Sequence, residues 1–151
     1  MRASRPAIVT RYTMRIEVSG VWDLFHVGHV RLFQKARGLA PPGTAVTLVV
    51  GVHSDEVVAA YKRTPVIPHD DRVEMVRSCR LVDEVIPNAP IHVTKEYLSK
   101  NEIDIVAHAH EVGDQAYDEY YAVPMRTGQF RRLEYTPSTS TSEIIARARA
   151  L

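Results

Sequence analysis

Two histidines three residues apart stand in the segment Gly20-Val21-Trp22-Asp23-Leu24-Phe25-His26-Val27-Gly28-His29. On a helical turn this spacing sends both imidazoles to one side. Gly28, between them, removes a side chain where a phosphate would approach the backbone. A helix beginning here adds unpaired N–H groups and a dipole that favours an anion. Together these residues predict a triphosphate site, with Trp22 offering backbone and stacking surface to a nucleotide and Asp23 shaping the loop. The bland readings are a pair of incidental helix-start histidines or half of a zinc site. The ten-residue context weighs against both.

A second group of chemistry-bearing residues lies near the end of the chain, in Thr136-Pro137-Ser138-Thr139-Ser140-Thr141-Ser142. These hydroxyls precede a helix-like stretch, and Ser140 with Glu143 three residues later has the spacing of a capping box. The segment is therefore a second anion-binding end. Tyr61-Lys62-Arg63-Thr64-Pro65 is polar and follows a short helix-like run, so Lys62 is placed to fold over the phosphates as part of a lid, or is a solvated loop lysine. His108 and His110 are two apart at a strand end and face the same way, which suits direct substrate contact better than a metal pair because no further ligand motif accompanies them.

Buried strands are expected at Met14–Ser19, Ala45–Val52, Val82–Ile86, Ile103–Ala107 and, more weakly, Arg131–Tyr135. Helices are expected over Val30–Leu39, Asp55–Ala60, Asp71–Arg80, Lys95–Lys100, Asp118–Met125 and from about Ser142 to the end. Val73, Val76 and Cys79 recur at three-residue spacing on one face. This alternation predicts an α/β fold, a Rossmann-like doubly wound parallel sheet of about five strands with helices on both faces. In such a sheet ligands bind beyond the carboxyl ends of the strands, which is where His26, His29 and His108 fall.

The chain has 151 residues, 45% hydrophobic and 25% charged, and a formal net charge of +1. That suits one globular domain, residues 14–151, after a poorly ordered tail over 1–13. So even a charge balance is not that of a nucleic-acid binder. A single cysteine, Cys79, no apolar run long enough to cross a bilayer and no secretory signal suggest a cytoplasmic protein.

The segment Gly20–His29 resembles the Gly-x-x-Asp-x-x-His-x-Gly-His signature of the nucleotidyltransferases that include the phosphocholine, phosphoethanolamine and glycerol-3-phosphate cytidylyltransferases. The likeness continues through Val50–Glu56, Lys62, Cys79–Val85, Asn88-Ala89-Pro90 and Val106-Ala107-His108. Ser140–Ile145 is similar to the end of that family's Arg-Thr-x-Gly-Ile-Ser-Thr-Ser signature. The resemblance implies a CTP-dependent transfer of CMP to a small phosphorylated or phosphonate substrate with release of pyrophosphate. His26, His29 and Lys62 would be catalytic, and Val21, Trp22, Gly28, Thr136, Thr139, Ser140 and Thr141 would bind CTP. Ile91, His108, Ala109, His110 and Tyr117 would meet the acceptor. Mg²⁺ is expected on the phosphates, with no protein metal site, and a homodimer near the first histidine motif and Arg80–Val85 is implied.

Three departures from the family pattern refine this. Its arginine is Tyr135 and a glycine is Ser138, leaving a phosphate ligand to be supplied by Arg126, Arg131 or Arg132. The aromatic residue after Asn-Ala-Pro is Ile91, and an acidic pair after Val-Ala-His reads Ala109-His110, with Glu111 one place on. The choline cage therefore reads as dismantled, unless Tyr117, Tyr120 and Tyr121 rebuild part of it. A phosphonate such as 2-hydroxyethylphosphonate, as in phosphonate antibiotic biosynthesis, is the expected acceptor, with phosphocholine or phosphoethanolamine as the alternative. An ATP-dependent adenylyltransferase and a non-catalytic nucleotide-binding domain are the competing readings. The membrane-binding helix of the phosphocholine enzymes has no counterpart before Leu151, so no membrane contact is expected, and the chain is open to being one domain of a larger protein.

Overall fold

β-Branched residues and short turns dictate five parallel strands, and the computed structural model, which describes residues 12–110, 113–135, 137 and 139–151, places all five in one sheet. They are β1 (Thr13–Gly20), β2 (Ala45–Val52), β3 (Glu84–Pro87), β4 (Ile105–His108) and β5 (Phe130–Arg132). The order is β3-β2-β1-β4-β5 and every pairing is parallel. The chain builds outward from β1 through β2 to β3, then crosses to the other side of β1 for β4 and β5. That reversal opens a crevice beyond the carboxyl ends of β1 and β4.

The strands bury both faces, as parallel strands covered by helices must. On one face Ile16, Val18, Leu48, Val50, Val52 and Ala107 pack against Phe33 and Ala36 of α1 (Val27–Arg37) and Val73 and Val76 of α3 (His69–Arg77). On the other, Val49 and Val106 meet Leu98 of α4 (Lys95–Lys100), Tyr121 and the partly buried Val123 and Met125 of α6 (Ala122–Arg126). Full burial of a side chain such as Phe33 contributes about 2–3 kcal/mol. Period-two alternation along β1 puts Glu17 and Ser19 on the second, otherwise largely apolar face, with Glu17 fully buried.

Several boundaries differ from the sequence expectation. The Asp118–Met125 stretch is two short helices, α5 (Gln115–Tyr120) and α6, separated at Tyr121, with Pro124 inside the second. The last strand is Phe130–Arg132 rather than Arg131–Tyr135, because only 106–108 of β4 are there to pair with it. α3 begins earlier, at His69, and stops at Arg77, while β3 begins at Glu84. Thr13 belongs to β1, not to a tail, and the expectation for residues 1–11 lies outside the described residues. Between β2 and α3 lies α2 (Asp55–Ala59), capped by Ser54, whose hydroxyl accepts from Val57 N. The last helix, α7 (Thr141–Arg149), starts with the expected capping box between Ser140 and Glu143.

Candidate active site

The β1–α1 connection is built from unusual backbone. Trp22 and Leu24 adopt left-handed conformations, φ 58 and 49, which costs of order 1–3 kcal/mol each for residues with side chains. Two anchors hold this turn. The Trp22 indole N–H donates to Gly51 O at 2.8 Å, and the Asp23 carboxylate accepts from Val66 N and Ile67 N, both at 2.9 Å. Arg63 adds an ion pair to Asp23 at 3.2 Å. Burial alone would raise the Asp23 pKa, but these donors outweigh it and hold the carboxyl below its usual value. Asp23 is thus a loop organiser, as the sequence suggested. Trp22 lines the central recess, but with little of its ring exposed. It is 4% exposed and packed edge-on to His29 and Phe33, so its ring closes the core beneath the site.

His26 is the N-cap of α1 and His29 sits in its first turn. The rings stack with centroids 3.8 Å apart. Their protonation states follow from their partners. His26 Nδ1 accepts from Gly28 N at 3.0 Å, and His29 Nδ1 accepts from His26 N at 3.3 Å. With both Nδ1 atoms acting as acceptors, each neutral ring carries its proton on Nε2. Burial lowers the pKa of His26, and burial with the neighbouring His26 charge lowers that of His29 to about 3. The resting pair is therefore two neutral N–H donors. His26 Nε2 lies 3.4 Å from Thr141 Oγ1, whose own proton goes to Asp23 O at 3.0 Å, tying α7 to the β1–α1 loop. A Cβ on Gly28 would come within 2.8 Å of both His26 Cε1 and Thr139 O. Glycine is required there by this closure of Thr139 onto the histidine turn.

Three contiguous recesses run across the carboxyl edge of the sheet. The first is lined by His26, Gly28, His29, Arg31, Lys35, Tyr135, Thr139, Ser140 and Thr141. The central one shares His29 and Thr141 with the first and adds Val21, Lys62, Arg63, His108 and Ser142. The third shares Lys62, His108 and Tyr117 with the centre and adds Ile91, Tyr61, Tyr120 and Tyr121. The order is thus hydroxyls, N–H donors, two basic residues and Glu134 at one end, histidines and a lysine in the middle, and an aromatic recess at the other. The exposed Lys62 ammonium stands 5.4 Å from the Tyr61 ring centroid.

Most of the sequence-derived residues are brought together here, with specific exceptions. Ile91, His108 and Tyr117 meet in the aromatic recess, whereas Ala109 lies beside His29 in the first two. His110 is not a direct substrate contact. Its side chain is 2% exposed, stacked on Tyr117 and Tyr121, and its Nδ1 is 2.9 Å from His108 Nδ1. The aromatic packing turns it behind His108, whose pKa burial and the neighbouring His110 lower to about 3. Thr136, Ser138 and Glu111 lie outside the described residues. Neither Arg131 nor Arg132 takes the place of the arginine absent at Tyr135. Arg131 donates to the carbonyls of Gly128 and Phe130, and Arg132 to that of His110. The basic side chains at the first recess are instead Arg31 and Lys35, which sequence reasoning missed. Their signal was helical spacing: Arg31 is three residues after Gly28, on the same face of α1.

Arg72, a buried cation not foreseen, braces the site from below. Its guanidinium donates to Val21 O at 2.5 Å, Ile67 O and His53 O at 3.0 Å, and Asp55 at 2.6 Å. Among the described residues no cluster of three or more His, Cys, Asp or Glu could hold a metal ion. Asp23, the carboxylate nearest the histidines in sequence, is consumed by Val66 and Ile67. A divalent cation fits the described side chains as a companion of a polyphosphate ligand, held by phosphate oxygens.

Fold and site together define a doubly wound parallel α/β protein with two histidine N–H donors at the carboxyl edge of its sheet. The cytidylyltransferase-like family model matches residues 18–147. The chain belongs to the cytidylyltransferase-like family. It is 38% identical over 135 residues to choline-phosphate cytidylyltransferase A of Rattus norvegicus and 37% identical over 136 to ethanolamine-phosphate cytidylyltransferase of Dictyostelium discoideum. Choline-phosphate cytidylyltransferase of Saccharomyces cerevisiae is 39% identical over 139 residues. Each alignment covers 89% of this chain but only 31–36% of the relative, so the chain spans about a third of those proteins' length. Among solved structures, a lipopolysaccharide core biosynthesis protein from Thermoplasma volcanium has the same fold, with TM-score 0.64 at 20% identity over 82% of this chain and 98% of that one.

Proposed function

We propose that the protein transfers CMP from CTP to the phosphate of a small amino-alcohol phosphate, of the phosphocholine or phosphoethanolamine kind, with release of pyrophosphate. The observation that carries this is the sequence of recesses. An anion-binding end with His26 and His29 is joined through Lys62 and His108 to a recess walled by Tyr61, Tyr117, Tyr120 and Tyr121. A quaternary or primary ammonium is held against aromatic faces, each contact contributing about 0.5–2 kcal/mol. The four tyrosines supply that wall although Ile91 occupies the position of the family's aromatic residue. The names of the relatives at 37–39% identity favour the same acceptors over the phosphonate expected from the sequence.

In the reaction an acceptor phosphate oxygen attacks the α-phosphorus of CTP, the α–β phosphoanhydride bond breaks and pyrophosphate leaves. Catalysis here is alignment plus stabilisation of developing negative charge. The Nε2–H groups of His26 and His29 donate to the transferring phosphoryl group and its leaving oxygen, and Lys62 bridges nucleotide and acceptor phosphates. Thr139, Ser140, Thr141, Arg31 and Lys35 hold the nucleotide's phosphates and ribose. Mg²⁺, when bound to the triphosphate, would neutralise further charge. A homodimer is part of the proposal, with Met75 (50%) and Val66 (54%) as exposed apolar surface.

Pyrophosphate release with CTP and Mg²⁺ tests this across phosphocholine, phosphoethanolamine, glycerol 3-phosphate and 2-hydroxyethylphosphonate, with ATP replacing CTP in parallel and His29→Ala as control. Preferred turnover of an amino-alcohol phosphate with CTP is expected. The second reading, a phosphonate acceptor, is favoured by the lack of a carboxylate among the described lining residues of the aromatic recess. Preference for 2-hydroxyethylphosphonate would establish it instead, preference for ATP would mean an adenylyltransferase, and CTP binding without any turnover would mean a non-catalytic domain.

A further inference from the structure

Glu17 is a carboxyl group whose position nothing in the fold explains. It lies in the central strand on the face that otherwise carries Val49 and Val106, and it is fully buried. Its Oε1 accepts from Ser19 Oγ and from Tyr97 OH, the latter at 3.2 Å, while its Oε2 has no hydrogen-bond partner. Among the described residues no basic side chain forms an ion pair with it. A buried unpaired carboxyl oxygen costs several kcal/mol and is kept where it has a task. Ser19, two residues nearer the carboxyl end of β1 on the same face, lines both the central and the aromatic recess. A Cβ on Gly51 would collide with Ser19 Oγ and come within 3.1 Å of Glu17 Oε1, so the neighbouring strand is kept bare to admit this pair.

We infer that Glu17, acting through Ser19, is the counter-charge that selects a cationic acceptor in the tyrosine-walled recess. This rests on the amino-alcohol reading above. The groups facing Glu17 are Ser19 on its own strand, Tyr97 of α4 and Tyr121 between α5 and α6, all neutral. Burial pushes its pKa up to about 7, against the lowering effect of Ser19 and Tyr97, so the empty site is poised between acid and carboxylate. An ammonium group arriving beside Tyr61 and Tyr121 favours the carboxylate, and the carboxyl proton is released to solvent. A neutral acceptor gives no such gain. Glu17 is thus a positioning residue that discriminates between acceptors without touching the reacting atoms.

The test compares wild type with Glu17→Gln, which keeps the shape and the Oε1 acceptor. For phosphoethanolamine and phosphocholine the variant's KM should rise about tenfold or more, with kcat, the KM for CTP and the KM for glycerol 3-phosphate little changed. Calorimetry in buffers of different ionisation enthalpy should show about half a proton more released per cationic acceptor bound at pH 7 by wild type than by the variant. Glu17→Gln/Ser19→Asp, which returns a carboxylate to the same face, should restore much of the affinity. Equal KM values and equal proton release would overturn the role of Glu17 while leaving the amino-alcohol reading intact. Failure of wild type to turn over either cationic acceptor would overturn that reading and this inference together.

Discussion

Both signature histidines have their Nδ1 atoms occupied by backbone N–H groups, so neither is free to act as a base through that nitrogen, and each offers one fixed N–H. His29→Ala should lower kcat about 10²–10³-fold with a much smaller change in CTP binding, read by pyrophosphate release and by titration with CTP. The same burial makes a prediction about pH. His29 and His108 have folded pKa values of about 3, below the unfolded value near 6.5. Between those limits the unfolded chain binds protons that the folded one does not, so stability falls as pH drops from about 6.5, by up to about 1.4 kcal/mol per pH unit for each ring. Glu17 works the other way. Its folded pKa of about 7 exceeds the unfolded 4.5, so its contribution is full below 4.5 and lost as pH rises through 7. Glu17→Gln should leave stability unchanged near pH 4 and raise it by on the order of 3 kcal/mol at pH 8, measured by denaturant unfolding.

At the scale of elements, the site depends on loops that are pinned rather than packed. Asp23 anchors the stretch after Lys62 through Val66 N and Ile67 N. Asp23→Ala leaves two backbone donors without their acceptor and frees the Lys62 loop. It should cost about 3 kcal/mol in unfolding experiments and raise KM for both substrates. The α7 capping box is more local. Ser140→Ala removes the acceptor for Glu143 N at 3.1 Å and should cost about 1 kcal/mol, with KM for CTP raised if the recess this turn lines holds the nucleotide as proposed. Both effects are separable from the proposed chemistry, since neither side chain is one of the proposed phosphoryl donors.

For the molecule as a whole, the proposed active site is an edge feature assembled from the ends of β1 and β4, His53 after β2 and the starts of α1 and α7, so ligand should staple distant parts of the chain together. CTP at a hundredfold excess over its dissociation constant should stabilise the fold by about 2.7 kcal/mol, seen as a rise in Tm, if the unfolded chain has no affinity for it. The proposed dimer predicts that sedimentation equilibrium of wild type gives twice the 17.0 kDa chain mass, and that Met75→Glu shifts it towards the monomer. Among the described residues no helix is long and apolar enough to cross a membrane.

The sequence by itself determined the α/β alternation, because buried parallel strands read as short continuous apolar runs such as Ala45–Val52. It also determined the histidine turn, because the chemistry of a phosphate site at a helix start needs those residues at that spacing. The Ser140–Glu143 cap was legible for the same reason: it is a contact three residues long. What lay beyond it were arrangements that only tertiary packing sets. Only the tertiary structure turned Trp22 into core through its bond to Gly51, set His110 behind His108, and brought Arg31 and Lys35 to the recess where an arginine was missing at Tyr135. The four tyrosines show the difference most directly. Tyr61 and Tyr117–Tyr121 are nearly sixty residues apart, and no periodicity relates them. Packing of α5 and α6 over the end of β4 makes them one wall, above a buried Glu17 whose charge the sequence displays but whose burial only the fold imposes.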